Sequence, residues 1–231
     1  MRIGIIGAMH EEITELRDVM QIKETVQISS FTYYVGELSG KDIVLVESGI
    51  GKVNAAVCAT LLVNNFKVEK VIFTGVAGAV DNALNIGDVV VSVDLITHDF
   101  DCTAFGMEPG MIPRMEESIF KSDAELSQIA IDAAGKVMGK EKSTMGRIVS
   151  GDQFVASKEK IQWLSETFSA SAVEMEGAAV AHVCYILGVP FVIIRALSDK
   201  ADGTAHMDFK EFVHLASKNS KNIVLEMLNV L

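Results

Sequence analysis

The chain has 231 residues and a formal charge of −11, from 31 acidic against 20 basic side chains. A balance that acidic repels phosphate backbones, which excludes nucleic acid as a partner. No apolar run reaches membrane-span length, the N-terminal stretch lacks a signal-peptide pattern, and three scattered cysteines (Cys58, Cys102, Cys184) form neither a disulfide framework nor a metal-ligand pattern. The expectation is a cytoplasmic soluble protein, folded as a single domain over residues 1–231 and acting on a small molecule.

Arg2–Gly7 reads as a strand, followed by a helix over Ala8–Met20 with Glu11 and Glu12 in its first turn, where the helix dipole favours carboxylates. Gly4 and Gly7 do not complete a dinucleotide-binding fingerprint. Thr25–Leu38 and Asp42–Glu47 alternate as strands do, about a Ser39-Gly40 turn. Ser48-Gly49-Ile50-Gly51-Lys52 lacks P-loop spacing and reads as a tight turn into a helix over Val53–Phe66. Lys70–Thr74 is the next strand, ending in the small residues Gly75–Ala79, and Gly87–Ile96 is another. Thr97–Met115 has no period. Its His98, Asp99 and Asp101 admit a metal site or a hydrogen-bonded loop, and the lack of further His or Cys nearby favours the loop. A loop of this length is functional or packs on a partner.

Ser122–Val137 reads as a helix with Ser122 as N-cap, and Gly146–Ser150 as a short strand. Phe154, just past that strand, is either core or a stacking platform for an aromatic ligand. Glu174–Leu187 reads as a helix, Pro190–Asp199 as the last strand and Asp208–Leu231 as a terminal helix. Strands alternating with helices predict an α/β fold, a mostly parallel sheet covered on both faces. The apolar run Phe191–Ile194 breaks at Arg195, Ser198 and Asp199, and the Ala172–Ala179 stretch places Glu176 among small residues. Ligands of α/β sheets bind at the carboxyl ends of strands, so these acid and base groups predict a pocket. The plainer alternative is a strand end with solvated charges.

Taken together, Ile3–Met9 with Glu11-Glu12, Ser48–Ala55, Thr103–Gly106, Val149–Asp152, Val173–Glu176 and Arg195–Asp199 resemble the bacterial 5′-methylthioadenosine/S-adenosylhomocysteine nucleosidases. These belong to the purine nucleoside phosphorylase and uridine phosphorylase superfamily. The resemblance spans nearly the whole chain in order. It implies a three-layer α/β/α sandwich around a mixed, mostly parallel twisted sheet, usually as a homodimer, with no cofactor and no metal. The implied reaction is hydrolysis of the N9–C1′ bond of methylthioadenosine, S-adenosylhomocysteine and 5′-deoxyadenosine, in methionine salvage. Carried over by motif, Glu12 activates water and Asp199 acts at purine N7. Glu176 holds the ribose hydroxyls with Met175, and Arg195 organises water and ribose. Phe154, Val155 and Ser198 hold adenine, and Met9, Ile50 and Phe209 line the 5′-alkylthio pocket. Cys102, Phe105 and Pro113 are implied to reach the site from the partner subunit. The chain departs from the family pattern at Val76, where Ser is common, at His10, and at Gly177-Ala178.

The chemistry is consistent with such roles. Breaking an N-glycosidic bond puts positive charge on the sugar and negative charge on the purine. A carboxylate near the ribose and an acid at the purine offset both. Phosphorolysis would need an anion site, and of the arginines (Arg2, Arg17, Arg114, Arg147, Arg195) only Arg195 lies in a site motif. Two competitors stand beside hydrolysis: a nucleoside phosphorylase, and a catalytically silent nucleoside-binding protein on the same fold.

Overall fold

Valine- and isoleucine-rich runs make the strands of one mixed sheet, and the computed structural model describes the backbone of residues 1–200 and 205–231, with side chains outside 205–211. The strands are β1 (Arg2–Gly7), β2 (Gln21–Ile28), β3 (Phe31–Leu38), β4 (Lys41–Glu47), β5 (Lys70–Ala79), β6 (Val89–Thr97), β7 (Phe120–Lys121), β8 (Ser143–Ser150), β9 (Ala172–Glu174) and β10 (Phe191–Asp199). Antiparallel β2, β3 and β4 form one end, and β4, β1, β5 and β10 continue in parallel. Beyond β10 the sheet curls on itself. β10 pairs antiparallel with β6, β6 and β8 run parallel, β8 and β9 likewise, and β9 returns antiparallel to β5. This closes a five-stranded barrel at one end of the sheet.

Among the described residues six α-helices cover it: α1 (His10–Arg17), α2 (Lys52–Phe66), α3 (Ala124–Met138), α4 (Lys158–Phe168), α5 (Gly177–Leu187) and α6 (Ala205–Leu228). Side chains alternate across a pleated strand, so each central strand feeds two cores. Ile6, Val44, Val46, Val71 and Phe73 pack against α2 and α5. Ile3, Ile5, Ile43, Leu45 and Ile72 pack against α1, α3 and α6. The result is the three-layer α/β/α arrangement expected from the sequence. A smaller cluster under α4 joins Leu164 and Phe168 to Val149 and Val173.

Local structure differs from the sequence reading at several points. Thr25–Leu38 is not continuous: Ser29 takes a positive φ of 55° and turns β2 back on β3. The N-cap of α3 is Asp123, which accepts from the Leu126 N–H at 2.9 Å, while Ser122 bonds Ser92 instead. Residues 172–174 form a strand, so α5 starts at Gly177 and not at Glu174. Helix α4 escaped sequence reading: it fully buries only Leu164 and Phe168, with Ile161 and Trp163 half-buried beside them.

Leu62 of α2 is fully buried in the first of these cores. Leu62→Ala should destabilise by about 2–5 kcal/mol through lost transfer energy and the cavity it leaves. Urea unfolding checks this: the midpoint should fall with the slope unchanged.

Candidate active site

Arg195 sits in β10 on the same face as Ile193 and Leu197, fully buried, its guanidinium carbon 4.1 Å from the centre of the Phe73 ring. A guanidinium cannot shed its charge, so the chain must supply countercharge. Glu174, at the end of β9, makes a short charged hydrogen bond to Nη2. Glu176 Oε2 lies 4.0 Å from the same nitrogen. Burial works against the arginine's charge, but Glu174, Glu12 and Glu176 together raise its proton affinity.

All three carboxylates also bind the N-terminal ends of helices. Glu12, in the first turn of α1, accepts the N–H groups of Ala8 at 2.5 Å and Met9 at 3.0 Å. Its other oxygen accepts from Val76 at 3.0 Å. Glu174 takes the N–H of Gly177 at 2.8 Å and of Glu176 at 3.2 Å, as well as the Ser150 hydroxyl, at the start of α5. Glu176 Oε1 accepts from the Gly51 N–H at 2.8 Å, just ahead of α2. Free N–H groups and the positive end of the helix dipole favour a carboxylate at each place. The close approach depends on Gly75: a Cβ there would stand 2.3 Å from Arg195 Nη1 and 2.5 Å from Glu12 Oε1.

These groups border a cavity of about 320 Å³ at the carboxyl ends of β5, β8 and β10. Its lining brings together Met9, Glu12, Ile50, Phe154, Val155, Met175, Glu176, Ser198 and Asp199 from the sequence reading. Arg195 stands behind that wall and reaches the cavity only through the carboxylates it pairs with. A bulge in β10 sets Leu197 opposite Ala77 and Asp199 opposite Gly78, leaving Ser198 as the extra residue. Asp199 is buried and accepts the Ser198 hydroxyl at 2.9 Å. Phe154 is half exposed and lines the rim of the cavity, which removes it from the core. Val76 lines the wall with an apolar side chain, so its contribution to Glu12 is made through the backbone.

Phe209 falls outside the described side chains. Cys102, Phe105 and Pro113 lie away from this cavity, in an outer segment where Phe105 is 84% exposed. Of the three residues that the sequence reading assigned to a hydrogen-bonded loop, Asp99 pairs with Lys52 and Asp101 caps Thr103, whereas the buried ring of His98 makes no side-chain hydrogen bond among the described residues and packs edge-on to Trp163. Glu174 is the site residue that sequence reading did not single out. Its signal was position: a carboxylate ending a buried strand beside Ser150, the end of the neighbouring strand.

Comparison with known proteins agrees with this geometry. The sequence profile of the Phosphorylase superfamily matches residues 2–229. The chain belongs to that superfamily. A 5′-methylthioadenosine/S-adenosylhomocysteine nucleosidase of Actinobacillus succinogenes is 45% identical over 229 residues, covering 99% of this chain and 98% of the relative. The crystal structure of such a nucleosidase from Neisseria meningitidis, in complex with methylthio-immucillin-A, superposes with a TM-score of 0.95 at 43% identity, over 100% of this chain and 99% of the other. Futalosine hydrolase of Helicobacter pylori superposes with a TM-score of 0.93 at 37% identity, over 100% of this chain and 98% of the other.

In this superfamily member, burial is the largest influence on two of the site carboxyls. It raises Glu12 above the ordinary range against the pull of Arg195 and three backbone N–H groups. It pushes Glu176 up to about 8, with Glu174 adding to the effect. Between the ordinary value of 4.5 and about 8, the folded protein therefore binds more protons at Glu176 than the unfolded chain does. Stability from this group is present at low pH and is lost as pH rises through that window. Glu176→Gln removes the dependence, so its melting temperature relative to wild type should climb between pH 5 and pH 8. Scanning calorimetry across that range checks this, and parallel curves for the two proteins would contradict it.

Proposed function

We propose that the protein is a nucleosidase that hydrolyses the N-glycosidic bond of 5′-methylthioadenosine and S-adenosylhomocysteine, and of 5′-deoxyadenosine. The products are adenine and the 5-substituted ribose. The observation that carries this is a mainly apolar cavity with a buried acidic wall. Among the described residues lining it there are four acidic side chains and no Lys, Arg or His. Such a wall stabilises positive charge on a sugar and repels phosphate, which favours hydrolysis over phosphorolysis. The relatives named above are nucleosidases and a hydrolase, which supports the same reading.

In this reading Glu176, aided by Met175, holds the ribose hydroxyls and stabilises the cationic sugar. Glu12 takes the proton of the attacking water, and the rise in its proton affinity on burial makes it a stronger base than a solvated carboxylate. Arg195 fixes the carboxylates and so the position of water and ribose. Phe154 stacks on the purine, the Val155 backbone and Ser198 hold its edge, and Asp199 supplies the proton at N7. Met9 and Ile50, with Phe209, receive the 5′-alkylthio group.

The active unit is a homodimer in which Cys102, Phe105 and Pro113 of each subunit cover the other's cavity. The exposure of Phe105, an aromatic ring left 84% open in a long aperiodic segment, supports this, since a partner would cover it. No described helix is long and apolar enough to cross a membrane. Methionine salvage in the cytoplasm is the setting that fits a nucleoside substrate of this kind.

Purified protein should release adenine from methylthioadenosine in phosphate-free buffer, at a rate that added phosphate does not raise. AMP should be a far poorer substrate, because the described 5′ side carries no cation. Glu12→Gln should lower turnover by about 10²–10⁴-fold while nucleoside-analogue affinity largely survives. Phosphate-dependent formation of a sugar phosphate would instead identify a phosphorylase.

A further inference from the structure

The geometry points to Lys52 as a positioning residue that ties the purine side of the cavity to the ribose side; this rests on the nucleosidase reading. Three chain segments meet at its side chain. Lys52 opens α2, directly after Gly51, whose N–H holds Glu176. Its ammonium makes a short charged hydrogen bond to Asp99, just beyond β6, and lies 3.8 Å from Asp152 Oδ2, just beyond β8. Its backbone N–H donates to Asp152 Oδ1 at 2.8 Å. The Asp152 N–H in turn donates to Asp99 Oδ2 at 2.9 Å, which closes the network.

Each arm ends at the cavity. Asp152 leads directly into Phe154 and Val155, the purine wall, while Gly51 carries Ile50 on one side and the contact to Glu176 on the other. Gly51 has a φ of 96°, and a Cβ there would stand 3.2 Å from Asp152 Oδ1, so the two turns are interlocked at the backbone as well. The Lys52 and Asp99 side chains are only 23% and 27% exposed, which screens their attraction less than at an open surface. Burial works against the charge on Asp99, but Lys52 and the Asp152 N–H outweigh it and hold the carboxyl below its ordinary value. None of these three side chains lines the cavity. Lys52 therefore acts through others: it sets the distance between the wall that grips the purine and the carboxylate that grips the ribose.

Stacking on the purine and hydrogen bonds to the ribose hydroxyls, unlike the charge of Glu176 beside the cationic sugar, hold substrate and transition state alike, and losing such uniform binding raises KM with kcat little changed. Kinetics of methylthioadenosine hydrolysis by the full-length protein test this. Lys52→Met should raise KM by about tenfold, the scale of coupling through a contact network, with kcat within about threefold of wild type. Lys52→Arg, which keeps the charge and the reach, should restore most of the loss. Asp99→Asn should raise KM in the same way and serves if Lys52→Met does not fold. A merely structural lysine would lower the active fraction, seen as reduced apparent kcat at unchanged KM, and that result would overturn the proposal. So would an unchanged KM in both variants, or no rescue by arginine. If wild-type protein shows no hydrolysis, the nucleosidase reading fails on its own. Calorimetric adenine binding then decides for Lys52, with a tenfold weaker Kd in Lys52→Met supporting its role and an equal or unmeasurable wild-type Kd overturning it.

Discussion

A permanently charged guanidinium at the centre of an apolar strand is the constraint from which the site follows. Burying an ion of this kind costs several kcal/mol even after relaxation, and removing one partner from a buried pair costs about 3–5 kcal/mol. Arg195 can therefore exist in β10 only if carboxylates are delivered to it, and the fold delivers them from separate elements. Glu12 arrives from α1, Glu174 from the end of β9 and Glu176 from the approach to α5. Each is simultaneously held by N–H groups at the start of a helix. Helix placement and charge placement are thus one problem with one solution, and Gly75 leaves the room for it.

That solution leaves more negative than positive charge in a dry place. Burial favours the neutral form of both Glu12 and Glu176, and at Glu176 the neighbouring Glu174 adds to it. A ligand that develops positive charge beside these groups relieves the excess. A preorganised acidic wall does this without reorganising at the moment of reaction, which is where electrostatic catalysis gains most. The apolar remainder of the cavity strengthens the effect by excluding water around it.

Much of this was legible in the sequence. The interruption of the β10 run by Arg195, Ser198 and Asp199 marked a candidate ligand site, because α/β sheets bind ligands at the carboxyl ends of their strands. Glu12 was legible as a first-turn carboxylate. Glu174 was not, because the three-residue β9 that positions it is too short to show a period, and its partner Arg195 is distant in sequence. Barrel closure was hidden for the same reason: it rests on β9 and on the antiparallel pairings of β10 with β6 and β5 with β9. Such long-range pairings leave no local pattern. Helix α4 was missed although Ile161, Leu164 and Phe168 stand at helical spacing, because its eleven residues give that stripe barely two turns in which to repeat. The β2–β3 turn was missed because the alternation of Val26 and Ile28 runs on into β3 and the turning residues, Ser29 and Ser30, include no Gly or Pro to mark the break.

The central claim is that this buried acidic cluster directs water, and not phosphate or an enzyme carboxylate, onto the anomeric carbon of a nucleoside. The most direct measurement is hydrolysis of methylthioadenosine in ¹⁸O-enriched water with phosphate present, with the sugar product observed by ¹³C NMR before it mutarotates. One water-derived oxygen at C1 of the inverted anomer is the expected result. Retention of configuration would make a carboxylate the nucleophile, and a C1 phosphate would make the cavity a phosphorolytic site; either would contradict the account.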